Sequence, residues 1–199
     1  MKVAIIDYGL GNIKSIFNAC KFFSKDIIIS NNYEVIKNST HLIFPGVGSF
    51  DHGINLLKKS KLHELVAEHF INDKPLLGIC LGLQIFFNKS EEGIEKGLGL
   101  IDGTVLKIKK KNVFSREKVP IISWREVVIK GRKKSTFYFD HSYMVSPKNK
   151  DLITGYYIFE DQKIPSIIKY KNFIGCQFHP EKSGKNGLGI IEDFFKKKF

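Results

Sequence analysis

LLGICLGLQ, residues 76–84, is the stretch that best predicts the fold and the chemistry of this chain. An apolar run leads into Gly78, Cys80 follows, and a helical pattern begins after Gly82. Glycines on both sides of a nucleophile let the strand and the helix approach closely around a sharp, strained turn. The start of a helix also favours a thiolate. The pattern therefore predicts a nucleophile elbow at Cys80, with the N–H of Leu81 donating to an oxyanion. The alternative is an ordinary buried cysteine.

Short apolar runs alternate with helical patterns throughout the first half of the chain. The predicted strands are residues 3–6, 27–29, 41–44 and 76–79, and helical spacing begins near residues 13, 51, 61 and 83. Uniformly apolar strands that alternate with helices indicate a parallel sheet covered on both faces.

The second half of the chain contains mostly strand patterns. They cover residues 103–108, 121–129, 136–139, 152–159, 164–170 and 173–178, and a final helix is predicted at 188–195. Short turns separate some of these strands, which is typical of hairpins. We therefore expect an α/β fold with a mostly parallel central sheet, flanked by helices, and an antiparallel or mixed extension. No repeat or linker interrupts the chain, so residues 1–199 are predicted to form a single domain.

The composition narrows the class of protein. Hydrophobic residues make up 43% of the 199 residues, enough for a substantial core, and the formal net charge is +12. The basic residues are mostly lysines, spread along the chain without a DNA-binding motif or interleaved aromatic residues. We therefore expect a solvated lysine-rich surface and no nucleic-acid partner. A weaker alternative is electrostatic steering of acidic or phosphorylated partners.

Cysteine usage and the lack of long apolar runs indicate where the protein works. Cys20, Cys80 and Cys176 are widely spaced and odd in number, which is typical of reduced thiols in the cytoplasm. The N-terminus lacks the apolar segment of a signal peptide, and no run is long enough to cross a membrane. No cysteine and histidine cluster has the spacing of a zinc site. We expect a cytoplasmic protein with no membrane contact, no metal and no cofactor.

A second motif, FHPE at residues 178–181, contains partners suited to a cysteine nucleophile. A strand pattern carries His179 to its end, where Pro180 stops the strand. A cysteine nucleophile needs a base, and the base needs an acceptor that orients it. We therefore predict His179 as the base and Glu181 as the orienting acid. The alternative is a surface histidine that happens to lie beside a glutamate.

A third motif, PGVG at residues 45–48, follows the predicted strand 41–44. Loops at the carboxyl ends of parallel strands gather at one edge of the sheet, where sites form. Glycine also permits backbone conformations that are closed to other residues. An amide from Gly46, Val47 or Gly48 is therefore predicted to complete the oxyanion hole. The alternative is a plain Pro-Gly turn.

Together, GICLGLQ, PGVG and QFHPEKSG resemble the motifs of the class I glutamine amidotransferases, which use a Cys-His-Glu triad. DYGLGNIKSI, PGVGSF, FYFDHSY and HPEKSG are similar, more narrowly, to the glutaminase subunits of imidazole glycerol phosphate synthase. The resemblance covers residues 7–184 and implies the flavodoxin-like fold of the class I amidotransferases. It also implies that Gln84, Ser142 and Tyr143 help to hold glutamine.

The resemblance further implies a reaction and a partner. Cys80 would attack the side-chain amide of glutamine, His179 would protonate the leaving ammonia, and water would hydrolyse the glutamyl thioester. The oxyanion loop would donate after one of its peptides reorients, when a loaded partner is present. That partner would be a separate (β/α)8-barrel cyclase subunit in a heterodimer. It would use the ammonia on a phosphoribulosyl-formimino carboxamide ribonucleotide in histidine biosynthesis.

Residues 121–125 depart from the family pattern. The family carries a His-x-Gly-Trp-Asn run there, whereas this chain has IISWR and keeps only Trp124. In the family this region lies toward the cyclase interface. An alternative is therefore a related glutaminase that feeds another acceptor, such as a surface-sugar amidotransferase. A third possibility, from another class, is a catalytically silent binding module.

Overall fold

The computed structural model describes residues 1–112 and 114–197. Strands and short helices alternate up to the elbow. The strands are β1 (Val3–Ile6), β2 (Ile27–Ser30), β3 (His41–Phe44) and β4 (Leu76–Ile79), and the helices are α1 (Ile13–Cys20), α2 (Tyr33–Lys37), α3 (Phe50–Lys59), α4 (Leu62–Ile71) and α5 (Leu81–Gln84).

The rest of the described chain is rich in strands and ends in a helix. The strands are β5 (Lys89–Ser90), β6 (Gly103–Lys107), β7 (Ile121–Ile129), β8 (Ser135–His141), β9 (Tyr143–Pro147), β10 (Ile153–Phe159), β11 (Gln162–Tyr170) and β12 (Phe173–Cys176). Short 3-10 turns occur at Lys150–Leu152 and Pro180–Lys182, and α6 covers Gly184–Lys196.

Within the described ranges, nine strands form one sheet in the order β2-β1-β3-β4-β12-β11-β10-β7-β8. The neighbours from β2 to β12 pair in parallel, and those from β12 to β8 pair antiparallel. The predicted fold class, a parallel sheet with an antiparallel extension, is confirmed. A small second sheet, β5-β6-β9, was not predicted.

The core lies on both faces of the parallel sheet because its strands have no polar face. In β1, Val3 and Ile5 belong to one buried cluster, whereas Ala4 and Ile6 belong to the other. Helices α1 and α6 cover the first face, and α3 and α4 cover the second. The sheet is therefore covered on both faces, and its carboxyl edge holds the loops that follow β1, β3, β4 and β12.

Several predicted elements differ in length from those in the structure. The strand predicted at 136–139 covers Ser135–His141, and the final helix predicted at 188–195 begins earlier, at Gly184. The helix after the elbow ends at Gln84, because the N–H groups of Phe86 and Phe87 bond to carbonyls only three residues back. Strand β12 ends at Cys176 rather than at Phe178, although the N–H of Gln177 still donates to the carbonyl of Ser166. Among the described residues, no helix is long and apolar enough to span a membrane.

Candidate active site

The turn between β4 and α5 holds Cys80 in a strained backbone conformation. Its φ of 54° and ψ of −112° lie outside the ordinary regions for a residue with a side chain. A Cβ on Gly82 would lie 2.0 Å from the carbonyl oxygen of Phe44, and a Cβ on Gly78 would lie 2.9 Å from that of Gly82. The two glycines therefore allow β3, β4 and α5 to meet closely around the cysteine, as the elbow pattern predicts.

His179 and Glu181 form a buried pair beside this turn. The Nδ1 of His179 lies 2.9 Å from Oε1 of Glu181, and both side chains are almost fully buried. Burial alone would lower the pKa of His179, but hydrogen bonds with Cys80 and Glu181 raise that pKa to about 10. The structure therefore brings the three predicted triad residues together and favours a protonated imidazole next to the sulfur.

The other two cysteines lie in the core. Cys20 and Cys176 are buried, and burial, followed by the charge of Glu181, raises the pKa of both thiols. Neither residue lines the cavity at the elbow, whereas Cys80 does. These two cysteines are therefore unsuited to act as nucleophiles.

A cavity of about 240 Å³ opens in front of the Cys80 sulfur. Most of the residues predicted for the site line it, although they come from distant parts of the chain. They are Val47, Gly48, Cys80, Leu81, Gln84, Ser142, Tyr143 and the predicted base His179. Glu181 lies behind the histidine instead. The size of this cavity suits a small polar substrate.

Gly46 lies beneath the predicted oxyanion loop and does not line the cavity. A Cβ at this position would lie 2.7 Å from the hydroxyl of Tyr8 and 2.8 Å from the amide nitrogen of Gly82. The Tyr8 hydroxyl also donates to the carbonyl oxygen of Pro45 at 2.9 Å. The loop therefore packs tightly against the elbow at Gly46, while Val47 and Gly48 face the cavity.

Several residues of the site were not predicted from the sequence: Gln177 and Glu92, together with Pro120, Asp140 and His141, which also line the cavity. Gln177 is fully buried, and its Nε2 lies 3.7 Å from the Cys80 sulfur. Glu92 lines the cavity and accepts a hydrogen bond from the N–H of Phe50 at 2.8 Å, while burial raises the pKa of its carboxyl. Gln177 precedes His179 by two residues in the QFHPE motif, which was the only sequence signal for it.

The antiparallel strands supply the wall opposite the elbow. The carbonyl oxygen of Asp140 lies 3.9 Å from the Cys80 sulfur. The carbonyl of Tyr143 lies 2.7 Å from Nδ1 of His141, and because a carbonyl only accepts, this nitrogen carries the proton. The other ring nitrogen then accepts from the hydroxyl of Tyr157 at 3.1 Å. Burial lowers the pKa of His141 to about 4, so the ring is neutral at pH 7.

The strained cysteine, the buried His–Glu pair and the cavity form the arrangement of an enzyme with a cysteine nucleophile. The family model described as glutamine amidotransferase class-I matches residues 4–198. The chain therefore belongs to the class I glutamine amidotransferase family.

Relatives with known names narrow the family further. The chain is 39% identical over 204 residues to the imidazole glycerol phosphate synthase subunit HisH of Prochlorococcus marinus, and the match covers 98% of each chain. It is 42% identical over 203 residues to the subunit HisH 2 of Methanococcus maripaludis, again with 98% of each chain covered. Within the class I amidotransferases, the chain groups with these HisH subunits.

Solved structures agree with the fold. A crystal structure of a glutamine amidotransferase matches with a TM-score of 0.76 at 16% identity, covering 98% of this chain and 100% of the other. The structure of PurLQS from Thermotoga maritima matches with a TM-score of 0.68 at 15% identity, covering 98% of this chain and 95% of the other. At these identities the likeness concerns the fold alone.

Proposed function

We propose that this chain is the glutaminase subunit of an imidazole glycerol phosphate synthase and that Cys80 is its nucleophile. The observation that carries the proposal is the position of Cys80. Its sulfur lies at a strained turn, in contact with His179, and faces a cavity of the size of a small polar molecule. We infer that the whole chain works as one domain and that its place is the cytoplasm.

The site supports a two-stage hydrolysis of glutamine. The thiolate of Cys80 attacks the amide carbon, a C–S bond forms, and the C=O electron pair moves to the oxygen. The N–H of Leu81 and the N–H of Val47 or Gly48 donate to this oxyanion. His179 then gives its proton to the leaving nitrogen, the C–N bond breaks, and ammonia leaves. Water, deprotonated by His179, hydrolyses the thioester to glutamate, while Glu181 stabilises the imidazolium.

The remaining cavity walls suit the other end of glutamine. We infer that the carboxylate of Glu92 binds the α-ammonium group. Glu92 and Asp140 are the acidic residues that line the cavity, and the N–H of Phe50 holds the Glu92 carboxylate in place. Gln84, Ser142 and Tyr143 line the same cavity and offer polar groups to the substrate. These contacts would select an amino acid over a simple amide.

The ammonia requires an acceptor, and the HisH relatives are named as subunits of a synthase. We infer that the acceptor is a (β/α)8-barrel cyclase subunit, bound as a heterodimer. An apolar pair on β7 supports a docking surface near the site: Ile122 is 58% exposed and Trp124 is 54% exposed. Trp124 packs edge-on against Tyr138, whose carbonyl accepts from the N–H of His179. The named relatives favour this acceptor over a sugar amidotransferase.

A reconstituted complex tests the proposal. The chain is combined with the cyclase subunit of its own organism, and the formation of imidazole glycerol phosphate is followed with glutamine or with ammonium as nitrogen source. Cys80→Ala should abolish synthesis from glutamine and leave synthesis from ammonium intact. Cys20→Ala, at a buried cysteine outside the cavity, is the matched control and should retain both activities.

Two results would contradict the proposal separately. Glutamine hydrolysis by Cys80→Ala would show that the nucleophile is wrong. A cyclase subunit that neither binds the chain nor raises its glutaminase activity would show that the partner is wrong.

A further inference from the structure

The Cys80 sulfur has a polar neighbour that the hydrolysis described above does not use. Gln177 lies directly after β12, its side chain is fully buried, and its Nε2 approaches the sulfur to 3.7 Å. A buried amide needs partners for both ends, because an unsatisfied polar group inside a protein is unfavourable. The direction in which this amide points therefore decides whether the sulfur faces an N–H donor or a carbonyl oxygen.

Gln84 fixes that direction. Its Nε2 lies 3.2 Å from the carbonyl oxygen of Tyr143 and 3.1 Å from Oε1 of Gln177. The backbone carbonyl of Tyr143 can only accept, so the NH2 group of Gln84 must face it. The same NH2 group then has one remaining hydrogen, which requires an acceptor, and the oxygen of Gln177 takes that position. The NH2 group of Gln177 is left facing Cys80.

We propose that Gln177 is the second hydrogen-bond donor to the Cys80 thiolate, with its polarity set by the Tyr143 carbonyl through Gln84. His179 supplies the first donor. Asp140 offers a carbonyl oxygen, which accepts from the sulfur only while the sulfur carries a proton. A hydrogen bond to a charged acceptor is about twice as strong as one between neutral groups, so the N–H of Gln177 favours the thiolate over the thiol. This inference rests on the proposed function, since it assigns a role at the same nucleophile.

The hydrogen bonds from Gln84 to the Tyr143 carbonyl and to Gln177, and from Gln177 to Cys80, form a relay. This relay also gives Gln84 a second role. Its NH2 group is committed to Tyr143 and Gln177, so its Oε1 is the end available to the cavity that it lines. Gln84 would thus accept from the substrate while it orients Gln177. The relay starts at a carbonyl of β9, in the small sheet, and ends at the nucleophile that follows β4, in the large sheet, so it joins two walls of the cavity.

Alkylation of Cys80 by iodoacetamide at pH 7 tests the donor without using the glutamine subsite. The thiolate is the reacting form, so the rate reports how well the site stabilises it. Gln177→Met keeps the length of the side chain and removes the donor, and we expect the rate to fall about tenfold. Gln177→Glu keeps the acceptor for Gln84 and turns an oxygen toward the sulfur, and it should slow alkylation at least as much. Peptide mass spectrometry confirms that Cys80 is the labelled thiol.

The relay is tested by combining substitutions. Gln84→Met should slow alkylation in the parent, because Gln177 loses the partner that orients it. It should have little further effect in the Gln177→Met background. Equal effects of Gln84→Met in both backgrounds would overturn the relay, and alkylation of Gln177→Met and Gln177→Glu within about twofold of the parent would overturn the donor itself.

Turnover in the complex with the cyclase separates this role from a structural one. Gln177→Met should lower kcat for glutamine about tenfold while KM stays within about twofold, because Gln177 does not line the glutamine cavity. Gln177→Glu provides a second measurement if the methionine variant does not fold. Cys80→Ala in the same assay distinguishes a wrong proposed function from a wrong role for Gln177. If that variant is inactive and the Gln177 variants behave as the parent, only this inference is wrong.

Discussion

The two parts of the large sheet contribute to the site in different ways. The parallel part, from β2 to β12, presents side chains: Cys80 follows β4, and His179 and Glu181 follow β12. The antiparallel part, from β11 to β8, and the adjoining β9 contribute mainly backbone carbonyls, those of Asp140 and Tyr143. The reacting groups therefore come from short local motifs, whereas the opposite wall depends on how distant strands pair.

Among the substitutions considered, the largest effect on activity is expected in the His179–Glu181 pair, which follows the parallel part of the sheet. Glu181→Gln removes the charge that stabilises the His179 imidazolium, and kcat for glutamine should fall about a thousandfold or more. The assay is glutamine hydrolysis by the complex with the cyclase subunit. Glu64→Gln, at an exposed glutamate on α4, should leave kcat unchanged. A loss below tenfold in Glu181→Gln would mean that this carboxylate is not the orienting acid.

The next largest effect is expected from a substitution in the elbow, and it concerns the free energy of unfolding. A Cβ on Gly82 would lie 2.0 Å from the carbonyl oxygen of Phe44, a backbone atom held within the sheet. Gly82→Ala should therefore lower the free energy of unfolding by about 3 kcal/mol, measured by urea denaturation.

Gly189→Ala is the matched control, because a Cβ built at that position in α6 meets none of the described atoms within 4 Å apart from those of its own stretch of helix. Alanine is the better helix former, so this variant should be as stable as the parent or more stable by up to about 1 kcal/mol. Equal destabilisation of both variants would show that the close approach at the elbow is not what requires glycine.

The sequence predicted the parallel part of the site more fully than the antiparallel part, for a physical reason. An elbow needs glycines at fixed spacing from the nucleophile, and a strand-end histidine needs its acid nearby, so local sequence reveals both. The role of the Tyr143 carbonyl depends on the pairing of β9 with β6, residues about forty positions apart. Every residue has a backbone carbonyl, so the sequence does not indicate which carbonyls line the site. Gln177 lies within the QFHPEKSG motif, yet nothing in the motif alone shows that its amide faces the sulfur.

A buried hydroxyl on β10 tests the antiparallel part. Tyr157→Phe removes the donor to Nε2 of His141 and leaves this buried nitrogen without its hydrogen bond. The free energy of unfolding should fall by about 2 kcal/mol. Tyr156→Phe, at the neighbouring half-buried position, should change it by less than about 0.5 kcal/mol. If the two substitutions are equivalent in urea denaturation, the hydrogen bond to His141 does not hold this wall in place.

Both parts of the sheet contain buried histidines with a lowered pKa, so acid should destabilise each part. Burial lowers the pKa of His69 on α4 and of His141 on β8 from 6.5 to about 4. Between these pH values the unfolded chain binds more protons than the folded chain, so stability present above pH 6.5 is lost as the pH falls toward 4. From pH 7 to 5.5, each histidine should account for a loss of about 1 kcal/mol.

His69→Gln removes one of the two contributions from the parallel part, where burial also lowers the pKa of His41 on β3 to about 4. Glutamine can still donate to the carbonyl of Pro75, which lies 3.1 Å from Nε2 of His69. Between pH 7 and 5.5 this variant should lose about 1 kcal/mol less stability than the parent in urea denaturation. If residues 1–199 form one cooperative domain, the change appears in a single transition that fluorescence of Trp124, on β7, also follows. A separate acid-induced transition at Trp124, unaffected by His69→Gln, would show that the antiparallel part unfolds independently of the parallel part.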